Sequence, residues 1–176
     1  MTTAAGTLDW ATAAEHVDLL AVPVAAAIDA LPSARVARID PDLADTAAFC
    51  QAYESAPEFS ANCVVVAGRR GGETTWAAVL VLATDRADIN NVVRRHLGVR
   101  KISFAPMDEA LGLTGMEYGG ITPVGLPADW PLLVDEAVLD AGEVVVGSGL
   151  RASKLLVRSA ELAALPTAEV LTLAHS

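Results

Sequence analysis

The 176-residue sequence has few cysteines, few aromatic residues and no long hydrophobic run. Its two cysteines, Cys50 and Cys63, exclude a disulfide framework and favour a reducing compartment. The longest apolar stretches, near Val64–Ala67 and Trp76–Ala83, are far shorter than the roughly 20 residues that cross a bilayer. The N-terminus also lacks the basic start and apolar run of a secretory signal. We therefore expect a cytoplasmic protein that does not bind membranes, with one domain over residues 1–176.

Positive charge is scarce and unevenly distributed. The formal net charge is −10, which argues against DNA binding and against any broad, non-specific grip on nucleic acid. Residues 102–150 contain no Lys or Arg, whereas residues 69–101 hold seven of the twelve basic residues. Any contact with RNA is therefore expected on a limited basic strip within residues 69–101. The alternative interpretation of this strip is an ordinary solvated surface.

The residues that usually bind metals or act as nucleophiles show no suitable pattern. The three histidines, His16, His96 and His175, are far apart, and no HxxxH or CxxC spacing occurs. We therefore predict no metal site. Cys63 lies in an apolar segment without a basic activator, which indicates a buried structural thiol rather than a nucleophile.

The hydrophobic pattern predicts many short elements. Helices are expected at residues 10–20, 23–31, 46–53, 88–97 and 106–113, and from Ser159 to just before Pro166. Strands are expected at residues 35–40, 61–67, 74–83, 101–104, 132–135, 143–146, 154–157 and 169–173, with a hairpin turn at 68–72. Residues 114–131 form a loop rich in glycine and proline. Short strands mixed with short helices, without regular βαβ alternation, favour an α+β fold.

The glycine-rich loop contains the most informative motif, Gly119-Gly120-Ile121-Thr122-Pro123. Two consecutive glycines permit positive φ angles and a close approach of a ligand to the backbone. A loop of this kind can direct successive N–H groups at one point, which suits an oxyanion. A tight structural turn is the alternative explanation.

This motif belongs to a longer series of segments. In chain order they are the strand Val64–Ala67, the glycine turn, the strand Trp76–Ala83, the helix Asp88–Leu97, Gly115, the loop Gly119–Gly125, Leu133–Asp135, Val145–Gly149, Leu155–Val157 and the helix beginning at Ser159. This order closely resembles the YbaK/ProX family of aminoacyl-tRNA deacylases over residues 45–173. The resemblance implies a mixed, barrel-like β-sheet flanked by short helices, with an open pocket and with no metal or organic cofactor. It also implies hydrolysis of the ester between an incorrect amino acid and the acceptor end of tRNA, with an aminoacyl-tRNA synthetase as a further candidate partner.

The resemblance also implies site residues. Gly119 and Gly120 would supply backbone donors near the ester carbonyl, and Thr46, Ile121, Thr122 and Pro123 would bind substrate. The lysine that this family usually carries at the start of the first hairpin strand is matched here by Asn62, which can donate a hydrogen bond but supplies no positive charge. A usually acidic family position is matched by Lys154. We therefore consider two possibilities for Lys154, a cation on the opposite wall of the pocket and an ordinary solvent-facing lysine.

No general base is evident from the sequence. Glu117 and Asp135 are candidates only because they lie close to the motif in the chain. The resemblance implies instead that a hydroxyl of the terminal ribose helps to activate the attacking water, a mechanism that needs positioning more than acid–base residues. The favoured interpretation is a trans-acting deacylase. The alternative is a catalytically inactive YbaK-like module that binds aminoacyl-tRNA, an amino-acid derivative or a synthetase.

Overall fold

The computed structural model describes residues 3–175. Its strands are β1 (Ala11–Thr12), β2 (Arg35–Arg38), β3 (Ala61–Arg70), β4 (Glu73–Leu82), β5 (Arg86–Ala87), β6 (Lys101–Phe104), β7 (Leu132–Asp135), β8 (Glu143–Gly147), β9 (Ser153–Arg158), β10 (Ala168–Leu171) and β11 (Ala174–His175). Its α-helices are α1 (Val22–Ala27), α2 (Thr46–Tyr53), α3 (Arg94–Leu97), α4 (Met107–Thr114), α5 (Glu136–Ala141) and α6 (Ser159–Ala163). None of the described helices is long and apolar enough to cross a membrane.

The strands form two main sheets. One has the order β1-β2-β9-β8, the other has the order β10-β7-β4-β3-β6, and β5 and β11 make a separate short ribbon. The five-stranded sheet is mixed, because β3 pairs antiparallel with β4 and β6, while β7 pairs parallel with β4 and β10. An isolated bridge between Ser60 and Val145 joins the two sheets. The predicted α+β fold with mixed sheets and short helices is confirmed, although the sheets do not close into one barrel.

Strand β4 lies at the centre of the molecule and is buried on both faces. Leu80 packs into the larger core cluster, which lies between the two sheets. Its neighbour Val79 points to the opposite face and packs against Val93 and Leu133 in a second cluster. Because side chains alternate along a strand, the nearly continuous apolar pattern of β4 correctly predicted burial on both sides.

The hairpin between β3 and β4 is tighter than the sequence suggested. Strand β3 continues to Arg70, and the turn is confined to Gly71 and Gly72, which both have positive φ angles. Gly68, expected in the turn, lies within the strand. A Cβ atom there would approach Val99 to 2.7 Å, so this glycine permits close packing rather than a turn.

One predicted helix is wrong. Residues 10–20 form strand β1 and two short 3₁₀ turns, Ala13–Glu15 and Val17–Leu19. The Ala13 N–H donates to the Ala34 oxygen at 3.0 Å, so tertiary pairing with the region of β2 replaces the weak helical pattern. This pairing also makes β2 an internal strand of its sheet. Helix α5 and the ribbon of β5 and β11 were not predicted.

Two irregular segments lock together and position the functional site. The Glu117 N–H donates to the Gly149 oxygen at 2.8 Å, and the Gly149 N–H donates to the Gly120 oxygen at 2.7 Å. Gly147, at the end of β8, lies so close that a Cβ atom would meet the Gly120 oxygen at 2.5 Å. The glycine-rich loop is therefore held against the 147–150 segment by backbone contacts that leave no room for a side chain.

Gly147→Ala tests this close approach. We expect a loss of about 1–3 kcal/mol in the free energy of unfolding, because the added methyl group must push two carbonyl oxygens away. The matched control is Gly112→Ala in α4, where a Cβ atom meets nothing within 4 Å. The control should gain up to about 1 kcal/mol from helix propensity. Urea denaturation followed by tryptophan fluorescence measures both, and equal stability of Gly147→Ala and wild type would contradict the packing argument.

Candidate active site

A cavity of about 300 Å³ lies where α2, β3, β8, β9 and the glycine-rich loop meet. Five of the residues predicted from the sequence line it, namely Thr46, Asn62, Gly119, Ile121 and Lys154. They come from segments far apart in the chain, and the fold brings them to one concavity. The glycine-rich loop and Asn62 thus lie on the same face of the molecule.

Gly120, Thr122 and Pro123 do not line this cavity. The Gly120 N–H donates to the Glu117 oxygen at 2.9 Å. One of the two backbone donors that the sequence predicts near the ester carbonyl is therefore already engaged. Thr122 is fully buried, and its Oγ1 accepts a hydrogen bond from the Val124 N–H. The expectation that these three residues contact a substrate in this cavity is therefore corrected. They belong to the glycine-rich loop but do not form the cavity wall.

Gly119 presents the backbone donor that remains. It is exposed and has a φ of +80°, a conformation that glycine adopts readily. Its N–H donates no hydrogen bond within residues 3–175. Arg151 fixes the loop beside it, donating to the Tyr118 oxygen at 3.1 Å and to the Pro41 oxygen at 2.8 Å. The arrangement leaves the Gly119 N–H unengaged by the described residues, as it does the N–H groups of its neighbours Tyr118 and Ile121, which also line the cavity.

Asn62 is oriented by a neighbour on α2. Thr46 Oγ1 donates to Asn62 Oδ1 at 2.9 Å, so the carbonyl end of the amide is occupied. Asn62 Nδ2 donates no hydrogen bond within the described chain. An amide nitrogen offers two donors. The threonine thus sets the amide so that its nitrogen is the group available to a ligand.

Lys154 is buried and does not extend into solvent. Only 8% of the residue is exposed, and Nζ donates to the Ala44 oxygen at 2.9 Å and lies 5.6 Å from the centre of the Phe49 ring. Burial lowers the pKa of Lys154, and the negative charge of Asp45 opposes this shift. An ammonium has three donors, so two remain beyond the contact with Ala44.

The proposed general bases lie elsewhere. Asp135 is buried away from the cavity and accepts hydrogen bonds from the N–H groups of Ala137, Leu173 and Ala174, a structural role. Glu117 accepts the Arg151 N–H at 2.9 Å and does not line the cavity. Neither carboxylate therefore lies where it could activate water at the cavity.

Sequence reasoning missed Asp45 as a cavity residue. It directly precedes α2, yet its carboxylate makes no capping bond and the residue lines the cavity. The absence of a capping contact cannot be foreseen from sequence, because aspartate is a common N-cap. Asp45 is the acidic residue among those that line this cavity.

Cys63 also lines the cavity, but its chemistry is unsuited to nucleophilic attack. Burial raises the pKa of its thiol to about 12, so the thiol is protonated at neutral pH. Within residues 3–175, no group of three or more His, Cys, Asp or Glu side chains is arranged to hold a metal ion. The polar groups of the cavity are therefore hydrogen-bond donors, a carboxylate and a buried amine.

Together these features define an α+β domain with a small cavity built to bind a ligand through amide and amine donors. Residues 40–165 match the aminoacyl-tRNA editing domain family, and the chain belongs to this family. The resemblance to YbaK/ProX proteins is thereby confirmed.

Individual relatives agree with this assignment. The proline–tRNA ligases of Lactobacillus johnsonii and Lactobacillus gasseri are each 40% identical to the chain over 73 residues. The matched stretch is 40% of this chain but only 13% of each ligase. A crystal structure of a candidate trans-editing enzyme for prolyl-tRNA synthetase superposes with a TM-score of 0.75 at 25% identity, covering 89% of this chain and 97% of that one.

Lys154→Met tests the state of the buried amine. Burial lowers the pKa of Lys154 in the folded state below 10.5. Between the folded-state pKa and 10.5, the unfolded chain therefore binds more protons than the folded chain. Because of this difference, the contribution of Lys154 to the free energy of unfolding rises with pH across this range. We expect the free energy of unfolding of wild type, relative to Lys154→Met, to rise as the pH approaches 10.5.

Urea denaturation between pH 7 and pH 10.5 measures this difference. The control is Lys101→Met, which removes the other lysine of the chain, an exposed one. A constant difference between wild type and Lys154→Met over the whole range would show that the amine is not desolvated.

Proposed function

We propose that the domain hydrolyses the ester bond of mischarged aminoacyl-tRNA and acts as a free-standing editing factor. The observation that carries the proposal is the convergence of two unengaged donors, the Gly119 N–H and Asn62 Nδ2, on one cavity. Family membership supports the substrate class. The near-complete coverage of a candidate trans-editing enzyme supports action in trans by a single domain over residues 1–176.

The chemistry follows from the donors. Water attacks the ester carbonyl carbon, the carbonyl electrons move onto oxygen, and the tetrahedral oxyanion then expels the ribose oxygen, which takes up a proton. The Gly119 N–H and Asn62 Nδ2 would donate to this oxyanion, and a donor of this kind is worth about 3–4 kcal/mol in the transition state. Lys154, buried behind them, adds positive potential when protonated.

Water activation would come from the substrate. The two carboxylates predicted as bases lie outside the cavity. Asp45, the acidic residue that lines the cavity, is exposed and lies near enough to Lys154 to interact with its charge. A hydroxyl of the terminal ribose is attached next to the ester and can orient the water, so the protein would contribute positioning and electrostatic stabilisation.

The cavity favours a small aminoacyl group. Its volume of about 300 Å³ is at the lower end of the range for ligand pockets, roughly 300–1,000 Å³. Its apolar wall includes Ile121, Val146 and Met107. A wall of this kind excludes large side chains by size, whereas a synthetase separates two small ones by only about 1–3 kcal/mol per methylene. Editing of a small, wrongly attached amino acid would complement that weak discrimination.

Asp45 would bind the α-amino group of the substrate. Every aminoacyl ester carries this group two bonds from the carbonyl carbon, and it donates hydrogen bonds. The Asp45 carboxylate is free of a capping contact and lines the same cavity as Asn62 and Gly119. A carboxylate acceptor opposite amide donors would hold the amino group and the carbonyl oxygen at once, which fixes the ester for attack.

Asn62→Asp tests the oxyanion donor. The variant keeps the size of the side chain and an acceptor for Thr46, but it removes the amide donor and adds negative charge. We expect kcat for deacylation to fall by about 100-fold or more. The control is Gln51→Glu, the same chemical change at an exposed position of α2 that does not line the cavity.

The assay is the release of amino acid from a panel of mischarged tRNAs. Wild-type hydrolysis that survives in Asn62→Asp would contradict the assigned role. Binding of aminoacyl-tRNA by wild type without turnover on any member of the panel would support the inactive binding module instead.

Asp45→Asn tests the amino-group contact. We expect KM for a sensitive aminoacyl-tRNA to rise by about 10-fold, since a charge-assisted hydrogen bond is replaced by a neutral one. With the N-acetylated form of the same substrate, wild type and variant should react alike, because the blocked amine no longer needs the carboxylate. An equal effect of the substitution on both substrates would show that Asp45 acts on the cavity in another way.

A further inference from the structure

A second concavity lies at the far end of strand β3 and is strongly basic. It has a volume of about 480 Å³ and is lined by the hairpin turn and by Arg69, Arg70, Arg100 and Lys101. We call these four residues the hairpin-tip cluster. None of them forms a salt bridge within the described part of the chain. In a protein of net charge −10, four cations around one concavity form a local site for anions.

The cluster is held in place by the backbone. The Arg100 N–H donates to the Arg69 oxygen at 2.9 Å, and Arg70 Nη1 donates to the Gly98 oxygen at 3.1 Å. Arg69 and Lys101 are directly opposite each other in the pairing of β3 with β6. Like charges in this relation destabilise a sheet. Arg69 and Lys101 form no salt bridge with a carboxylate of the described chain. Such a pair of unneutralised cations favours the binding of an external anion.

A further groove adjoins the cavity and reaches the end of strand β6. A groove of about 640 Å³ shares Asn62 and Val64 with the cavity and extends to Phe104, which is 64% exposed. Phe104 is the last residue of β6, and Lys101 is the first. Strand β6 therefore begins at the hairpin-tip cluster and ends at the groove that adjoins the cavity.

Strand β3 gives the distance between the cavity and the cluster. Asn62 and Arg69 are seven residues apart on one continuous strand, which corresponds to about 23 Å. A nucleic acid strand whose 3′ end is held at the cavity spans this distance with only a few nucleotides. The phosphates of the nucleotides that precede the terminal one would then reach the cluster.

We propose that the hairpin-tip cluster binds backbone phosphates of the tRNA acceptor end while the cavity holds the aminoacyl group. This inference rests on the proposed function, because it takes aminoacyl-tRNA as the ligand of the cavity. The protein carries a net negative charge, so we expect only a few contacts with phosphates, and the cluster would make them at one end of β3. Phosphate contacts of this kind fix register and orientation without reading sequence.

The test is the double variant R69Q/K101Q. It leaves Arg70, whose side chain supports the backbone at Gly98, and it removes the repulsive cross-strand pair. The matched control is R38Q/R158Q, which removes the same charge from exposed positions of the four-stranded sheet. Urea denaturation should show R69Q/K101Q at least as stable as wild type, since like charges no longer face each other.

Binding to uncharged tRNA gives the first readout. We expect the Kd of R69Q/K101Q to rise by about 10-fold or more, and the slope of log K against log salt to fall by about 0.7–0.9 for each lost phosphate contact. R38Q/R158Q should keep the wild-type slope. Wild-type binding by R69Q/K101Q, an equal loss in the control, or no measurable binding by wild type would overturn the inference.

Deacylation gives the second readout and separates this inference from the proposed function. R69Q/K101Q should raise KM for aminoacyl-tRNA without changing kcat. With the aminoacyl ester of adenosine alone, which cannot extend to the cluster, it should react like wild type. If wild type hydrolyses aminoacyl-tRNA and the variant has the same KM, the inference fails while the function stands. If wild type hydrolyses nothing, the function fails and the binding experiment still decides the role of the cluster.

Discussion

The site depends on one backbone contact, the hydrogen bond from the Gly149 N–H to the Gly120 oxygen. It joins the glycine-rich loop to the segment that connects β8 with β9, and thereby fixes Gly119 on the wall that Lys154 also forms. Glycine is required on both sides, because a Cβ atom at Gly120 or Gly147 would come within 3 Å of backbone atoms of the other segment. The paired glycines thus have two separate roles. Gly120 permits the contact, and Gly119 presents a donor at the rim.

Much of the fold could be predicted because its signals are local. Apolar runs and turn glycines predict the central hairpin, helix α2 and the order of the later strands. A proline at its start predicts helix α1. Elements that depend on partners distant in the chain could not be found this way. Strand β1 forms because β2 is beside it, and the two-residue ribbon of β5 and β11 exists only through its pairing. Short pairings of this kind leave no periodicity to detect.

The candidate site was predictable in position but not in detail. The motif and the family resemblance placed Gly119 and Asn62 near each other and left Lys154 open between the pocket wall and solvent, and the fold brings all three to one cavity. The Gly120 N–H is engaged by a turn hydrogen bond to the Glu117 oxygen, and the motif alone did not show which of the two glycine N–H groups such a turn would occupy. The same holds for Asp45, because a carboxylate before a helix caps it in most proteins and faces the cavity here.

The resemblance implies a lysine at the position of Asn62, so that the positive charge in the lining of this cavity is that of Lys154. A lysine at an exposed position is screened by water, whereas the Lys154 amine is buried beside Phe49 and acts through a medium of lower dielectric constant. Burial lowers the pKa of Lys154, the negative charge of Asp45 opposes this shift, and the Ala44 carbonyl accepts a hydrogen bond from the amine. A fixed cation behind a neutral amide donor needs little reorganisation when an oxyanion forms. Under the proposed function, this arrangement would stabilise the oxyanion of ester hydrolysis by a charge on the wall of the cavity rather than at its rim.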